Sequence, residues 1–299
     1  MLSEVFYWVL NMSVLGTLTL LFILIIRSIK PIPRSIVFFA WIIPFIRFII
    51  PFGLASEFSI INLLDGYLTK TVYLPATSLS SSNSLRFAET YYPITYKNDI
   101  MDKFFYHASI VWVVFALLLI LIFSFYYYCA LKEVGNLPNR KENIYISEAA
   151  GTPYVVGIIN PKIILPAFLK SGEDFIIIHE KAHIDRRDNL WRVLAVVVCC
   201  LHWFNPFVWF FLKKFFADME LACDERVMRE IGGENKNEYA KALIGYSEQK
   251  SLFLSAFGGA DTKSRVKKIL SYKKLTVFSA VLSISIIIFT AVVLLTNAV

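Results

Sequence analysis

Apolar residues in this chain come in long blocks, separated by short polar or basic interruptions. A helix that crosses a membrane needs about 20 largely apolar residues. Five stretches meet that length on a first pass: 5–26, 35–53, 109–130, 191–216 and 275–297. Between 131 and 172 the texture changes. Asn143 to Ile146, Tyr154 to Ile159 and Lys162 to Pro166 predict short β segments, with Asn160-Pro161 turning the chain between the last two. Ser171, followed by Glu173 and Asp174, predicts an N-cap with acids in the first turn of the next helix.

The basic residues orient the blocks. Arg27, Lys30 and Arg34 fill 27–34 without an acid, and Lys263, Arg265, Lys267, Lys268, Lys273 and Lys274 crowd 263–274. Both segments read as cytoplasmic. The loop 54–105 mixes both signs, carries a Ser-rich tract at 78–84 and reads as external. Everything from 131 to 274 is then cytoplasmic, because both of its ends are. A single crossing at 191–216 would break that order. His202-Trp203-Phe204-Asn205-Pro206 offers the way out. Proline removes a donor and pushes the preceding residue out of helical geometry, so two shorter apolar arms fold back as a hairpin or lie at the interface.

The expected fold class is therefore mainly α: a polytopic membrane protein with four transmembrane helices and a small β-sheet. Residues 1–130 form a membrane region with three spans, 131–274 a cytoplasmic domain with a membrane-associated hairpin at 191–216, and 275–299 the last span. Both termini lie outside the cell membrane. Composition agrees, with 57% hydrophobic residues and a mean hydropathy of +0.59, too apolar for an ordinary soluble domain. The net charge of +7 follows from topology, and no direct nucleic-acid partner is expected. Cys129, Cys199, Cys200 and Cys223 lack paired spacing, which argues against a disulfide framework or a Cys-rich zinc site. The first apolar run lacks a basic start and ends at Arg27-Ser28-Ile29-Lys30, so no cleavable signal peptide is expected.

Chemistry concentrates at His179-Glu180-Lys181-Ala182-His183, an HExxH sequence after an apolar run. On a helix, His179 and His183 project from one face and can share one metal ion. Glu180 lies about 100° further round, where a base can take a proton from the attacking water and pass it to the leaving nitrogen. HExxH alone also occurs in helices without a metal. Here, however, the chain has only four His residues, and a third ligand stands downstream. A catalytic zinc takes three protein ligands and keeps an open position. Glu220 fits as the third, with Asp224 one turn behind it to orient an imidazole. This is the ligand pattern of a gluzincin-like zinc protease, with one Zn2+ per chain. The hairpin turn at 202–206 falls midway between His183 and Glu220, so topology and zinc chemistry call for the same turn. Asp188 is read as the cap of the next helix, His202 as a hydrogen-bonded structural residue and His107 as lying on the wrong side. Cys223 is read as packing, facing away from Glu220. Arg47, inside an apolar run, must pair or snorkel.

These residues resemble the BlaR/MecR-type membrane metallopeptidases, the signal transducers of β-lactam resistance. The resemblance rests on Pro153 to Gly157, Ile163 to Pro166, the HExxH block followed by Arg187-Asp188, Trp203-Phe204-Asn205-Pro206, and Glu220-x-x-Cys223-Asp224. It implies that a stimulus outside the cell activates a cytoplasmic zinc site. That site then cleaves the protein itself, for which 251–261 is a candidate segment, and removes a winged-helix repressor from DNA. Family sensors add an extracellular penicillin-binding domain. The chain stops at Val299, so a form without that sensor is expected. A quality-control protease of the membrane and a catalytically idle membrane scaffold are the alternatives.

Overall fold

A computed structural model describes residues 2–29, 32–50, 52–54, 56–62, 89–90, 99–135, 137–141, 143–168, 172–247 and 261–296. The first apolar block is one helix, α1 (Leu2–Ser28). The second is not. It forms α2 (Arg34–Ala40) and α3 (Ile42–Ile49). Pro44 explains the break: it has no N–H to offer the carbonyl of Ala40, and its ring crowds that carbonyl. Seven and eight residues joined through Trp41 make about 24 Å of helix at 1.5 Å per residue, short of a hydrocarbon core of about 30 Å. A two-residue strand pair follows, β1 (Phe52–Gly53) with β2 (Glu89–Thr90). The third block is α4 (Asp99–Gly135) and the last is α10 (Val277–Leu295). Among the described residues, three helices are long and apolar enough to cross a membrane, in α1, α4 and α10.

The polar middle of the chain opens on a four-stranded mixed sheet. β3 (Asn139–Lys141), β4 (Ile144–Ser147), β5 (Tyr154–Val156) and β6 (Lys162–Pro166) lie in the order β3-β4-β6-β5. β4 runs parallel to β6, and the other two pairings are antiparallel. β5 is shorter than the Tyr154 to Ile159 segment expected, because Gly157 (φ 99°) turns the chain out of the ladder. A Cβ there would stand 2.6 Å from the Asn160 carbonyl oxygen, so only glycine fits.

The sheet leads into α5 (Glu173–Asp185), which bears HExxH, then α6 (Asp188–Leu201) and α7 (Pro206–Ile231). The N-cap of α5 is Gly172 (φ 72°) rather than Ser171, and a Cβ on the glycine would meet Ala242 at 2.7 Å. Ser171 lies outside the described residues. Between α6 and α7 the helical pattern stops, and Asn205 caps α7 by accepting from the Phe207 amide at 2.9 Å, with Pro206 in the first turn. Cys199 donates to the Val208 carbonyl near the turn, and Arg192 meets Glu220 farther along, so the two helices run antiparallel side by side. Two more helices, α8 (Lys236–Ser247) and α9 (Thr262–Leu270), precede α10.

α7 threads the two largest hydrophobic cores among the described residues. Its first half puts Phe211 and Phe215 among Phe38, Trp41, Phe45 and Phe48 of α2–α3, with ring centroids 5.1–5.5 Å apart for Phe45–Phe211, Trp41–Phe211 and Phe38–Phe215. Its second half puts Cys223, Val227 and Met228 against Ile163, Leu165, Ile176 and Ala182 of the sheet and α5. The residues at 220–224 therefore stand beside the HExxH helix.

Candidate metal centre

His179 and His183 share a face of α5, and both are buried. Their Nε2 atoms lie 3.2 Å apart. Glu220 of α7 closes the triangle, with Oε2 3.5 Å from His179 Nε2 and Oε1 3.6 Å from His183 Nε2. Two nitrogens on a tetrahedral zinc, each bonded at about 2.0–2.1 Å, are about 3.3 Å apart. The three donors thus have the separations and the chemistry of a zinc ligand set.

Each imidazole is held from behind. His183 Nδ1 lies 2.6 Å from Asp188 Oδ2. Asp188 starts α6, and Arg187 before it adopts a left-handed conformation (φ 55°) that turns the chain between α5 and α6. Read from sequence as a helix cap, Asp188 in fact orients His183. For His179 the link runs through Tyr239 of α8. The Tyr239 hydroxyl donates to Asp224 Oδ1 at 2.7 Å, which leaves its oxygen to accept from His179 Nδ1 at 2.9 Å. Asp224 Oδ1 itself is 3.5 Å from that nitrogen, so the hydroxyl mediates. Both Nδ1 atoms thereby carry the proton and both Nε2 lone pairs face the common centre.

Two arginines border the donors. Arg192 Nη2 is 3.1 Å from Glu220 Oε1. Arg265 of α9 forks onto Asp224, with Nε and Nη2 both at 2.8 Å, and its Nη atoms also reach Glu220 Oε2 at 3.3 Å and His179 Nε2 at 3.1 Å. Cys223 does not face away from this cluster. Three residues apart on a helix leaves only about 60° between side chains, and its sulfur lies within 4.8 Å of donor atoms of both histidines. Its thiol donates to the His179 carbonyl at 3.3 Å. The Glu220 oxygens face both Nε2 atoms at 3.5 and 3.6 Å, so Glu220 and Cys223 both stand where a third ligand could come from. Glu180 is buried on the same helix turn as His179.

The charges support one another. Burial favours the neutral forms of all these groups. Against it, Cys223 and Glu220 raise His179 to about 9, and Cys223, Glu220 and Asp188 raise His183 as well. Burial likewise opposes ionisation of Glu220, yet His183, His179 and Arg265 draw its carboxyl well below the usual range. Asp224 is lowered chiefly by Arg265 against the same opposition. Carboxylates thus surround the imidazoles, and a dication entering the cluster would compete with protons for their Nε2 atoms.

His202 and His107 stand apart from the cluster. His202 Nε2 lies 2.9 Å from the Phe48 carbonyl oxygen, and the His107 ring meets that of Tyr106 edge-on on α4. Arg47 is buried and structural: its Nε and Nη2 donate to the carbonyls of Leu294 and Thr296 at 2.8 and 2.7 Å, capping the end of α10. The candidate segment 251–261 lies outside the described residues as far as Ala260.

The sequence signature of BlaR1 peptidase M56 extends over residues 7–271, nearly the whole chain. The chain belongs to this peptidase family. Membership implies a zinc-dependent metallopeptidase, and the three apolar helices suit a membrane protein. Among relatives, the regulatory protein BlaR1 of Bacillus licheniformis is 27% identical over 122 residues, covering 40% of this chain and 20% of that protein. The methicillin resistance mecR1 protein of Staphylococcus aureus is 26% identical over 146 residues, covering 44% of this chain and 25% of its own length. The match thus spans a quarter or less of these relatives.

Proposed function

We propose that the chain is a zinc endopeptidase that cuts protein substrates at the cytoplasmic face of the cell membrane, in regulated signalling of the antirepressor type. The observation that carries this reading is the convergence of His179, His183 and Glu220 within 3.2–3.6 Å, with each imidazole fixed through its other nitrogen. A bound zinc would polarise the scissile carbonyl and lower the pKa of the attacking water. Glu180 takes a proton from that water as its oxygen attacks the carbonyl carbon. The same proton passes to the amide nitrogen as the carbon–nitrogen bond breaks.

Substrate enters as an extended strand on the free edge of β5. Asn189 of α6 donates to the carbonyls of Val155 and Gly157 at 3.3 and 2.9 Å, which marks these two residues as facing that edge. Val156 and Tyr154 pair inward with Lys162 and Ile164. A substrate strand would take over the carbonyls that Asn189 holds. Two substrates fit the reading. One is a winged-helix transcriptional repressor. The other is the chain's own segment 251–261, tethered between α8 and α9 and so at high effective concentration near the metal.

Mass spectrometry of cleavage products from native membranes tests the proposal, comparing wild type with Glu180→Ala. Discrete cuts that vanish in Glu180→Ala are expected. The same peptides from both proteins would show that another protease makes them.

A further inference from the structure

α9 is a two-faced helix. Lys263, Lys267 and Lys268 are exposed on one side, while Arg265 and Ile269 are buried on the other. Ile269 packs into the core shared by α5, α7, α8 and the sheet. Arg265 goes further in and reaches the metal-facing cluster itself. Its fork takes both oxygens of Asp224 at 2.8 Å. Asp224 Oδ1 is also the acceptor that fixes the Tyr239 hydroxyl, and through it His179 Nδ1. α9 ends at Leu270 and α10 begins at Val277, so a short connection separates this arginine from a candidate membrane span.

The geometry points to Arg265 as a positioning residue through which the docking of α9 sets metal retention at the His179–His183–Glu220 site. With α9 docked, Asp224 is held by two charge-assisted bonds of fixed direction, and Tyr239 and His179 are held with it. With α9 withdrawn, Asp224 is a buried carboxylate without the guanidinium that holds it, the kind of group that rearranges. That change frees the Tyr239 hydroxyl and lets the His179 ring turn. A lysine at 265 would supply charge without the planar fork, so it would satisfy one Asp224 oxygen at a time. α10 is thereby linked to the zinc site through α9 and Arg265. This inference rests on the zinc reading above.

The test uses the full chain in detergent or lipid nanodiscs, with zinc affinity read by chelator competition and cobalt(II) absorption reporting ligand geometry. Four variants are compared with wild type: Arg265→Gln, Arg265→Lys, Ile269→Ala and the outward-facing Lys267→Ala. Thermal unfolding in chelator gives an independent check that each is folded. Arg265→Gln should lose about 10–100-fold in zinc affinity, the range for outer-shell partners of a metal-ligating histidine. Arg265→Lys should recover only part of that loss. Ile269→Ala loosens α9 without touching the site and should weaken zinc in the same direction. Lys267→Ala should match wild type. The cobalt spectrum should change in the Arg265 and Ile269 variants alone. Folded Arg265→Lys and Ile269→Ala proteins that hold zinc within twofold of wild type, with unchanged cobalt spectra, would overturn the inference. Should Arg265→Gln fail to fold, those two variants still decide it. A wild type that takes up no metal would instead refute the zinc reading itself.

Discussion

Both imidazoles present Nε2 to one centre because each Nδ1 has a fixed acceptor, Asp188 for His183 and the Tyr239 hydroxyl for His179. Tyr239 can act this way only while Asp224 takes its proton. Tyr239→Phe removes one oxygen and leaves the packing of a fully buried ring in place. Zinc affinity should fall about tenfold or more, while the unfolding temperature of the metal-free protein changes little; chelator competition and thermal unfolding read the two. Unchanged affinity would mean that His179 is oriented without the hydroxyl. The HExxH pair, Glu220 and Asp224 are legible in the sequence because i, i+4 spacing on a helix fixes a shared face. Asp188 is legible only as a polar residue at a helix start. Nothing local marks Tyr239 among fifteen tyrosines. Arg265 hides in a basic run whose charge reads as topology. Cys223 differs from its expected place because an offset of three residues from Glu220 puts it about 60° round the helix rather than on the far side.

At the scale of elements, α7 carries the design. One side of it holds Glu220 and Asp224, and the other is gripped by the start of the chain. Asp218, fully buried, takes Arg27 at 2.7 Å and the Trp41 indole at 3.1 Å, and Glu225 accepts from the Arg34 and Ser35 amides at 2.8 Å, capping α2. Breaking a buried ion pair by removing one partner costs about 3–5 kcal/mol, enough to matter to where α7 sits. The α6–α7 turn is anchored too, since Asn205 Nδ2 reaches Ser13 Oγ and Thr17 Oγ1 of α1 at 2.8 Å. Pro206 announces the turn in the sequence. Its attachment to α1 is a long-range contact that no local pattern carries. β5 shows the same divide: its existence is legible, while its early end depends on Gly157 and its exposed edge on sheet order. The edge yields a sharp test. Val155→Pro removes an amide that faces the edge, whereas proline at Val156 would break the ladder to β6. Val155→Pro should lower cleavage about tenfold and leave zinc content near wild type. Equal loss of both would indicate a damaged core rather than a lost substrate contact.

Over the whole molecule, the membrane helices and the site form one connected body. α2–α3 and α7 share the aromatic core, Arg47 of α3 binds the end of α10, and α10 leads back through α9 to Arg265. The expected orientation needs the second apolar block to cross as well, and it would do so as two short helices divided near Pro44 rather than as one long helix. Single-Cys labelling in a Cys-free background should find positions 150 and 235 on the cytoplasmic side and position 80, outside the described residues, on the other. External labelling at 235 would place the two halves of the site on opposite faces of the membrane. The central claim is that His179, His183 and Glu220 hold one catalytic zinc while Glu180 does not. Zinc content of the purified protein tests it most directly, set beside cleavage for wild type, Glu220→Ala and Glu180→Ala. The account predicts about one zinc per chain in wild type and in Glu180→Ala, with cleavage only in wild type, and little zinc in Glu220→Ala. Zinc retained by Glu220→Ala at the wild-type level would contradict it.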